Sequence, residues 1–393
     1  MDYRSFENLC KGKKICIWGF GKIGKTYVLT ALKCISADVV CYCDSQYRKG
    51  ASNEGIPLVE VDYLKEIKNI FVFIALNSLK AQDEISRYLK ELGIEHWVFD
   101  SLMLTELCNS LEKESGSASL SKYKMLLDDE QYLKILYKQK MGTELDLQNP
   151  RTFNEKLQWL KVYDRNPLYS ELVDKAAVKE RVASIIGNEY VIPTYEVWDK
   201  VYEIDFSMLP GQFVLKCTHD TGSVVVCRDK GDFDKEMAMR KLSRALSINY
   251  YWVKREWPYK QVKPRILAEK YMGEHLTDYK ILCYGGQPEY IFTCTERYSV
   301  EGLKVTWFTP DWKRLPFSRH YPVSTKIIKP PSQLDEMLSI SRILSKPFRF
   351  VRLDFYEIDN RVYFGEYTFY PGSGFEEFSP MMWDEKLGEP LHL

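Results

Sequence analysis

Phe350-Val-Arg-Leu-Asp-Phe-Tyr-Glu-Ile-Asp-Asn-Arg-Val-Tyr-Phe-Gly-Glu-Tyr-Thr-Phe-Tyr-Pro-Gly-Ser-Gly-Phe375 reads as two aromatic and β-branched strands around the polar turn Asp359-Asn360. Side chains alternate along a strand, so Arg352, Asp354 and Tyr356 share one face, as do Glu366 and Thr368 on the second strand. With the odd loop Asp359-Asn360-Arg361, Asp354 lies opposite Glu366. An even, two-residue loop sends the two acids to opposite faces. Opposed like charges destabilise a strand pair. A chain that keeps them has a use for a cation there, and hard oxygen ligands suit Mg²⁺ carrying phosphate. The competing reading is a surface hairpin with solvated acids.

Outward from this hairpin, the whole chain sets the limits. At 393 residues it exceeds the usual single domain, so two or three are expected. Lys+Arg and Asp+Glu balance at 55 each, which leaves no global field for nucleic acid or an anionic membrane. The ten cysteines are scattered without zinc-ribbon spacing and read as reduced, apolar residues of a cytosolic protein. Met1-Asp-Tyr-Arg-Ser-Phe6 is no signal peptide, and no apolar run is long enough to span a membrane. A soluble, cytoplasmic protein is expected.

Residues 13–18, 38–44, 69–75 and 96–99 read as strands, alternating with helical stretches that reach Cys34 and Leu92. Such alternation argues a parallel sheet with crossover helices. Ser110-Leu-Glu-Lys-Glu-Ser-Gly-Ser-Ala-Ser-Leu-Ser121 is small and polar, the best linker in the chain. The expected division is therefore residues 1–110, a linker at 111–121, and residues 122–393. In the last portion, helical composition over 128–186 gives way to strand signals at 213–216, 223–227, 265–269, 278–283 and 289–293. A helix near 332–345 precedes the hairpin. This is an α+β pattern.

Phe213-Val-Leu-Lys216 ends an apolar strand on a lysine, and the loop Cys217-Thr-His-Asp-Thr-Gly222-Ser223 follows. A Gly-containing tip with free backbone N–H groups can close over phosphates, and the lysine adds a point charge. A lysine at a strand end also snorkels to water for no other reason. Ile266-Leu-Ala-Glu269-Lys270-Tyr-Met272-Gly-Glu274 offers main-chain groups and apolar walls to a flat base, with Glu274 placed to accept from ribose hydroxyls. Asp278-Tyr-Lys280 brings another basic residue onto a strand. His219 and His275 read as hydrogen-bonding residues rather than bases.

The order of these motifs resembles the ATP-grasp superfamily, and within it the TupA-like branch, amide-ligase-like proteins of teichuronopeptide and other bacterial surface-polysaccharide pathways. The resemblance runs from about Asp128 to the C-terminus. It includes Asn149-Pro-Arg-Thr-Phe-Asn-Glu-Lys-Leu-Gln-Trp-Leu-Lys161, Asp174-Lys175 with Val178-Lys-Glu-Arg-Val182, Lys216, Glu269-Lys-Tyr-Met272 and Gly365-Glu-Tyr-Thr-Phe-Tyr-Pro-Gly-Ser-Gly374. It implies an α+β ATP-grasp fold that uses ATP and Mg²⁺. Lys216 and Lys280 would contact ATP phosphates under a loop bearing Gly222 and Ser223. Lys175 or Lys179 would be a further phosphate contact. Glu269, Lys270 and Met272 would form the adenine hinge, with Glu274 on ribose. Asp354 and Glu366 would bind Mg²⁺. Many superfamily members have Asn two residues after the second metal acid; Thr368 stands there in this chain. Arg352, with Lys280, would stabilise the transferring phosphoryl group. The implied reaction joins a carboxylate to an amine through an acyl phosphate, releasing ADP and phosphate. The implied substrates are a nucleotide sugar or glycan carboxylate and an amine such as an amino acid, and the setting implies polysaccharide-assembly enzymes as associates.

In residues 1–110, Gly19-Phe-Gly21-Lys-Ile-Gly24 lies between a strand and a helix, and Asp44 ends the next strand. That is the setting of a dinucleotide fingerprint, with a pyrophosphate at a helix N-terminus. The pattern also resembles short Rossmann-like, nucleotide-sugar-binding domains of bacterial sugar-modifying enzymes, through Asp44-Ser45 and Gly55-Ile-Pro57. The four strands expected here are too few for a full dinucleotide fold. Nucleotide sugar, NAD(P) and a purely structural role all remain open for this α/β portion.

Overall fold

The computed structural model describes residues 2–76, 78–99, 103–104, 106–107, 110, 122–274, 276–296, 299–300 and 302–393. The expected linker 111–121 and His275 lie outside the described residues. Two compact units emerge, Met1–Glu144 and Leu145–Leu393.

In the first unit, β1 (Lys14–Trp18), β2 (Asp38–Cys43), β3 (Ser52–Asn53), β4 (Ile56–Val59), β5 (Ile70–Ile74) and β6 (Glu95–Val98) form one sheet in the order β3-β4-β2-β1-β5-β6. All neighbouring pairs are parallel except β3 with β4. Among the described residues six strands stand where four were expected. The missed pair is short and holds Pro57, which weakens the local strand signal. Ile15, Cys16 and Ile17 are fully buried, as the continuous apolar run of a two-sided parallel strand requires. The chain moves outward from β1 to β2 and β4, then returns to β5, so strand order reverses beside β1. Gly19 follows β1 at that point. The helix after it is π-wound over Ile23–Val28 and α-helical over Leu29–Cys34. It crosses so close to the turn that a Cβ on Gly24 would sit 2.0 Å from the Gly19 carbonyl oxygen.

The second unit holds β7 (Thr194–Trp198), β8 (Phe213–Cys217), β9 (Val225–Cys227), β10 (Ile266–Lys270), β11 (Asp278–Tyr284), β12 (Gln287–Thr295), β13 (Lys304–Phe308), β14 (Ser318–Arg319), β15 (Phe350–Ile358), β16 (Arg361–Thr368) and β17 (Phe378–Ser379). Two antiparallel sheets result, β7-β10-β8-β9 and β13-β12-β11-β15-β16, with β14 and β17 as a separate pair. The helix Lys235–Leu246 buries Ala238 and Leu242, one turn apart, in a cluster with Phe213, Leu215 and Ile266 of the smaller sheet. The helix Leu334–Ser345 buries Met337, Ile340 and Leu344 in the main core of the larger one.

The hairpin reaches the expected pairing by another route. Its loop is the two-residue one: Ile358 pairs with Arg361, and Asp359 and Asn360 take φ of 52° and 59°. Left regular, that loop would part the two acids. The register shifts between Asp354 and Phe355, where Gly365 is the extra residue of a β-bulge, and Asp354 comes opposite Glu366.

Candidate active site

Asp354 is 2 % exposed, which removes the solvated-hairpin reading for it. Arg352 grips it with both prongs, Nε to Oδ1 at 2.6 Å and Nη2 to Oδ2 at 2.8 Å. Lys280, opposite on β11, also donates to Oδ2. Burial alone would raise the Asp354 carboxyl, but Arg352 and Lys280 hold it below its ordinary value. Arg352 Nη2 also donates to Glu366 Oε1 at 3.0 Å, and Thr368 Oγ1 donates to the same oxygen at 3.1 Å. The Glu366 side chain is 41 % exposed, so one acid of the pair is locked and the other is open to a ligand.

A second charged cluster lies on the smaller sheet. Glu269 on β10 is buried between Lys179, 2.6 Å from Oε2, and Lys216, which pairs with Oε1. Burial would raise its carboxyl, and the two lysines pull it below the ordinary value instead. Lys216 is therefore not snorkelling. Lys179 Nζ also donates to the Ile192 carbonyl at 2.8 Å. Lys175 donates to the Asp220 carbonyl in the glycine loop, and burial lowers its affinity for a proton. The two lysines left open by the sequence thus divide: Lys175 touches the loop and Lys179 touches Glu269.

The loop itself is well anchored at its base. Ser223 Oγ accepts from Cys217 N at 2.9 Å and donates to Asp220 Oδ1 at 2.5 Å. Ser223 is thus occupied in closing the loop, while Gly222 is exposed with open space around it. His219 Nε2 lies 3.2 and 3.1 Å from the carbonyls of Ala245 and Ile248, so it carries a proton and donates. Where the adenine hinge was expected, Lys270 is exposed, Met272 is half-buried, and Glu274 forms a surface pair with Arg228 at 2.5 Å.

Several residues of this site escaped the sequence reading. Tyr250 Oη meets Thr221 Oγ1 of the loop at 3.0 Å. Six residues on, buried Glu256 accepts from Ser373 Oγ in the turn after β16. Lys161, fully buried, donates to Ser373 O at 2.7 Å, Lys254 O at 3.0 Å and Gln158 Oε1 at 2.9 Å. Segment 250–256 therefore ties the glycine loop to the turn that follows Glu366 and Thr368. Within the motif Asn149–Lys161, Gln158 binds the backbone of Ser373-Gly374 at the end of the motif Gly365–Gly374, and Asn154 binds the backbone of Glu376 just beyond it. Helix Phe153–Tyr163 presents them because a Thr152–Glu155 capping box fixes its start.

In the first unit β2 stops at Cys43, one residue short of the expected end, and the carboxylate of Asp44 just after it serves the loop. Oδ2 accepts from Phe20 N at 2.8 Å and Oδ1 from Gln46 N at 2.9 Å. Gly21 has open space where a Cβ would go.

A family model described as TupA-like ATP-grasp matches residues 155–392, more than half of the chain. The chain belongs to the TupA-like ATP-grasp family. It is with that an ATP-grasp ligase, of a superfamily that uses ATP, typically with Mg²⁺. No curated protein sequence matches it. Among solved structures it is similar to D-alanine–D-alanine ligase from Bacillus anthracis complexed with ATP, at 13 % identity, covering 91 % of this chain and 86 % of that one with a TM-score of 0.32. It is also similar to an L-amino acid ligase from Bacillus licheniformis, at 12 % identity over 93 % and 70 % with a TM-score of 0.31. A third is D-alanyl-alanine synthetase A from Vibrio cholerae, at 9 % identity over 97 % and 94 % with a TM-score of 0.32. Among the described residues of this TupA-like chain, no helix is long and apolar enough to cross a membrane.

The donor set of Asp354, Glu366 and Thr368 fits a hard cation. It is oxygen-only and the two carboxylates share one face; Glu366 is open, while Asp354 is held by Arg352 and Lys280 and would exchange one of those contacts for the ion. No group of three or more His, Cys, Asp or Glu converges among the described residues, so a magnesium ion here would complete its shell with water and phosphate, as it ordinarily does.

Proposed function

We propose that the chain is an ATP-dependent carboxylate–amine ligase. It forms an amide on a sugar carboxylate, of the uronic acid class, through an acyl phosphate, in bacterial capsule or other surface-polysaccharide synthesis in the cytoplasm. The observation that carries this reading is the bulged pairing of Asp354 with Glu366, with Arg352 and Lys280 on the same face. Phosphoryl transfer asks for positioning and charge neutralisation more than for a protein nucleophile. A site of Lys, Arg and carboxylates supplies that.

In this reading Lys175, Lys216 and the Gly222 loop hold the phosphates, with Lys179 keeping Glu269 in place at the hinge. Glu269, Lys270 and Met272 flank adenine and Glu274 takes ribose. Mg²⁺ on Asp354, Glu366 and Thr368 would neutralise phosphate charge. Arg352 and Lys280 face the transferring group, where negative charge spreads over the phosphoryl oxygens. An oxygen of the substrate carboxylate attacks the γ-phosphorus and ADP leaves. The amine nitrogen then attacks the acyl carbon and phosphate leaves, carrying the electron pair of the broken C–O bond.

Residues 1–110 form, in the same proposal, a Rossmann-like nucleotide-sugar domain. The reversal of strand order beside Gly19 supports it, since ligands of parallel sheets bind at such points. Asp44, already bonded to two backbone amides, fits a loop brace better than a free ribose acid. The test is turnover with uronic acids and amino acids. ADP and phosphate should appear only when both substrates are present; AMP and pyrophosphate would contradict the reading.

A further inference from the structure

Asp354, Lys280 and Phe292 stand in one row across β15, β11 and β12, each directly opposite the next and therefore on one face. Two guanidinium groups share the last ring of that row. Arg352 lies 5.8 Å from the Phe292 centroid, and Arg319 lies 4.6 Å from it. Arg352 belongs to the phosphoryl site. Arg319 arrives from β14, a strand with no periodicity to announce it.

Arg319 is 9 % exposed. Its Nη1 is 2.5 Å from Glu376 Oε2, and its Nε is buried with no hydrogen-bond partner. Buried donors are nearly always satisfied, and an exception calls for a cause. The geometry around it is built. Glu376 is fixed through its backbone, whose N–H donates to Asn154 Oδ1 at 3.0 Å and whose carbonyl accepts from Asn154 Nδ2 at 2.8 Å. Gly372 makes room for the Glu376 side chain, since a Cβ there would lie 2.1 Å from its Cγ. A guanidinium is thus held rigidly beside the reactive row with a donor edge that Glu376 leaves unused.

We propose that Arg319 is the anchor for the carboxylate-bearing substrate, holding an oxyanion of that substrate through its Nε edge. The assignment rests on the carboxylate–amine ligase reading above. It names an anionic substrate whose charged group lies beside Arg319, on the side of Arg352 and Lys280. Arg is suited to this because its planar fork meets a carboxylate with two donors, which a lysine cannot reproduce. A nucleotide phosphate shares the same oxyanion chemistry, so the test separates the two sources.

The full-length protein with ADP and Mg²⁺ is titrated with D-glucuronate, D-glucose and inorganic phosphate, following tryptophan fluorescence. Trp307, 4.6 Å from the Phe292 ring, is the reporter. Wild type should respond saturably to glucuronate and not to glucose. Arg319→Lys keeps a cation beside Glu376; it should bind glucuronate at least tenfold more weakly with ATP affinity unchanged. Arg319→Gln should lose the response altogether. Equal glucuronate affinity in wild type and Arg319→Lys overturns the anchor and leaves the ligase reading standing. ATP affinity falling in step with glucuronate, or phosphate displacing glucuronate at equal concentration, makes Arg319 a nucleotide contact and overturns it too. No response of wild type to glucuronate while ATP still binds overturns the anchor; ADP release that depends on a carboxylate and an amine remains the separate test of the ligase reading.

Discussion

Gly374→Ala should cost the second unit roughly 3–5 kcal/mol, a large loss for a single methyl. Gly374 has φ of +65°, where an L side chain costs about 1–2 kcal/mol. The added Cβ would lie 2.5 Å from Gln158 Nε2 and 3.0 Å from Leu157 Cβ. Overpacking of that order costs about 1–3 kcal/mol. The Gln158 amide would have to move, giving up its bonds to Ser373 O at 3.0 Å and Gly374 O at 2.5 Å. Each is worth about 0.5–1.5 kcal/mol net. The terms overlap, since relief of the clash is bought by loss of the bonds, so the total stays below their sum. Equilibrium urea unfolding by tryptophan fluorescence measures it. Gly211→Ala is the control, an exposed glycine whose Cβ would meet nothing within 4 Å, with an expected change under about 0.5 kcal/mol. A Gly374→Ala protein within about 1 kcal/mol of wild type would refute the argument that the two distant motifs are locked through this contact.

Glu366→Gln should abolish turnover in a folded protein, because its amide oxygen still accepts from Arg352 and Thr368 while the anionic charge is gone; near-normal activity at saturating ATP and Mg²⁺ would remove the metal assignment. Lys216→Ala should weaken ATP binding about 10- to 150-fold, the equivalent of a charge-assisted contact of about 1.5–3 kcal/mol, and should lower the rate; steady-state kinetics matching wild type at every ATP concentration would reduce Lys216 to a partner of Glu269. Gly21→Val should leave the unfolding midpoint unchanged, because its side chain enters open space, yet block binding of nucleoside-diphosphate sugars; calorimetry showing tight NAD(H) binding and no nucleotide-sugar response in wild type would reverse that choice.

The legible part of this fold was what local pattern encodes. Period-2 alternation placed Arg352, Asp354 and Glu366, and continuous apolar runs placed β1, β2 and β5. The hairpin shows the limit. An odd loop and an even loop with one bulge leave side chains on the same face, so parity alone could not separate them, and only Gly365 hinted at the bulge. Buried charges were the larger blind spot. Lys161 closes a quoted motif, and Glu256 and Arg319 stand among aromatic neighbours, yet nothing local marks any of the three as buried; what sets them apart is contact with segments more than fifty residues away. Glu269 was expected at adenine, but its clamp on Lys179 and Lys216 is likewise a long-range fact. The helix Lys235–Leu246 went unseen because so little of it is buried.

Oxygen-18 placed in the carboxylate of the uronic acid substrate tests the ligase assignment most directly. Attack of that carboxylate on the γ-phosphorus makes one of its oxygens the bridge of the acyl phosphate. Departure of phosphate from carbon carries that oxygen away. One label should therefore appear in the released phosphate, alongside ADP, when the amine is present. Label retained wholly in the amide product and its acid would mean that no acyl phosphate formed, and the ligase mechanism would fall even if ATP binds between Lys216 and Arg352.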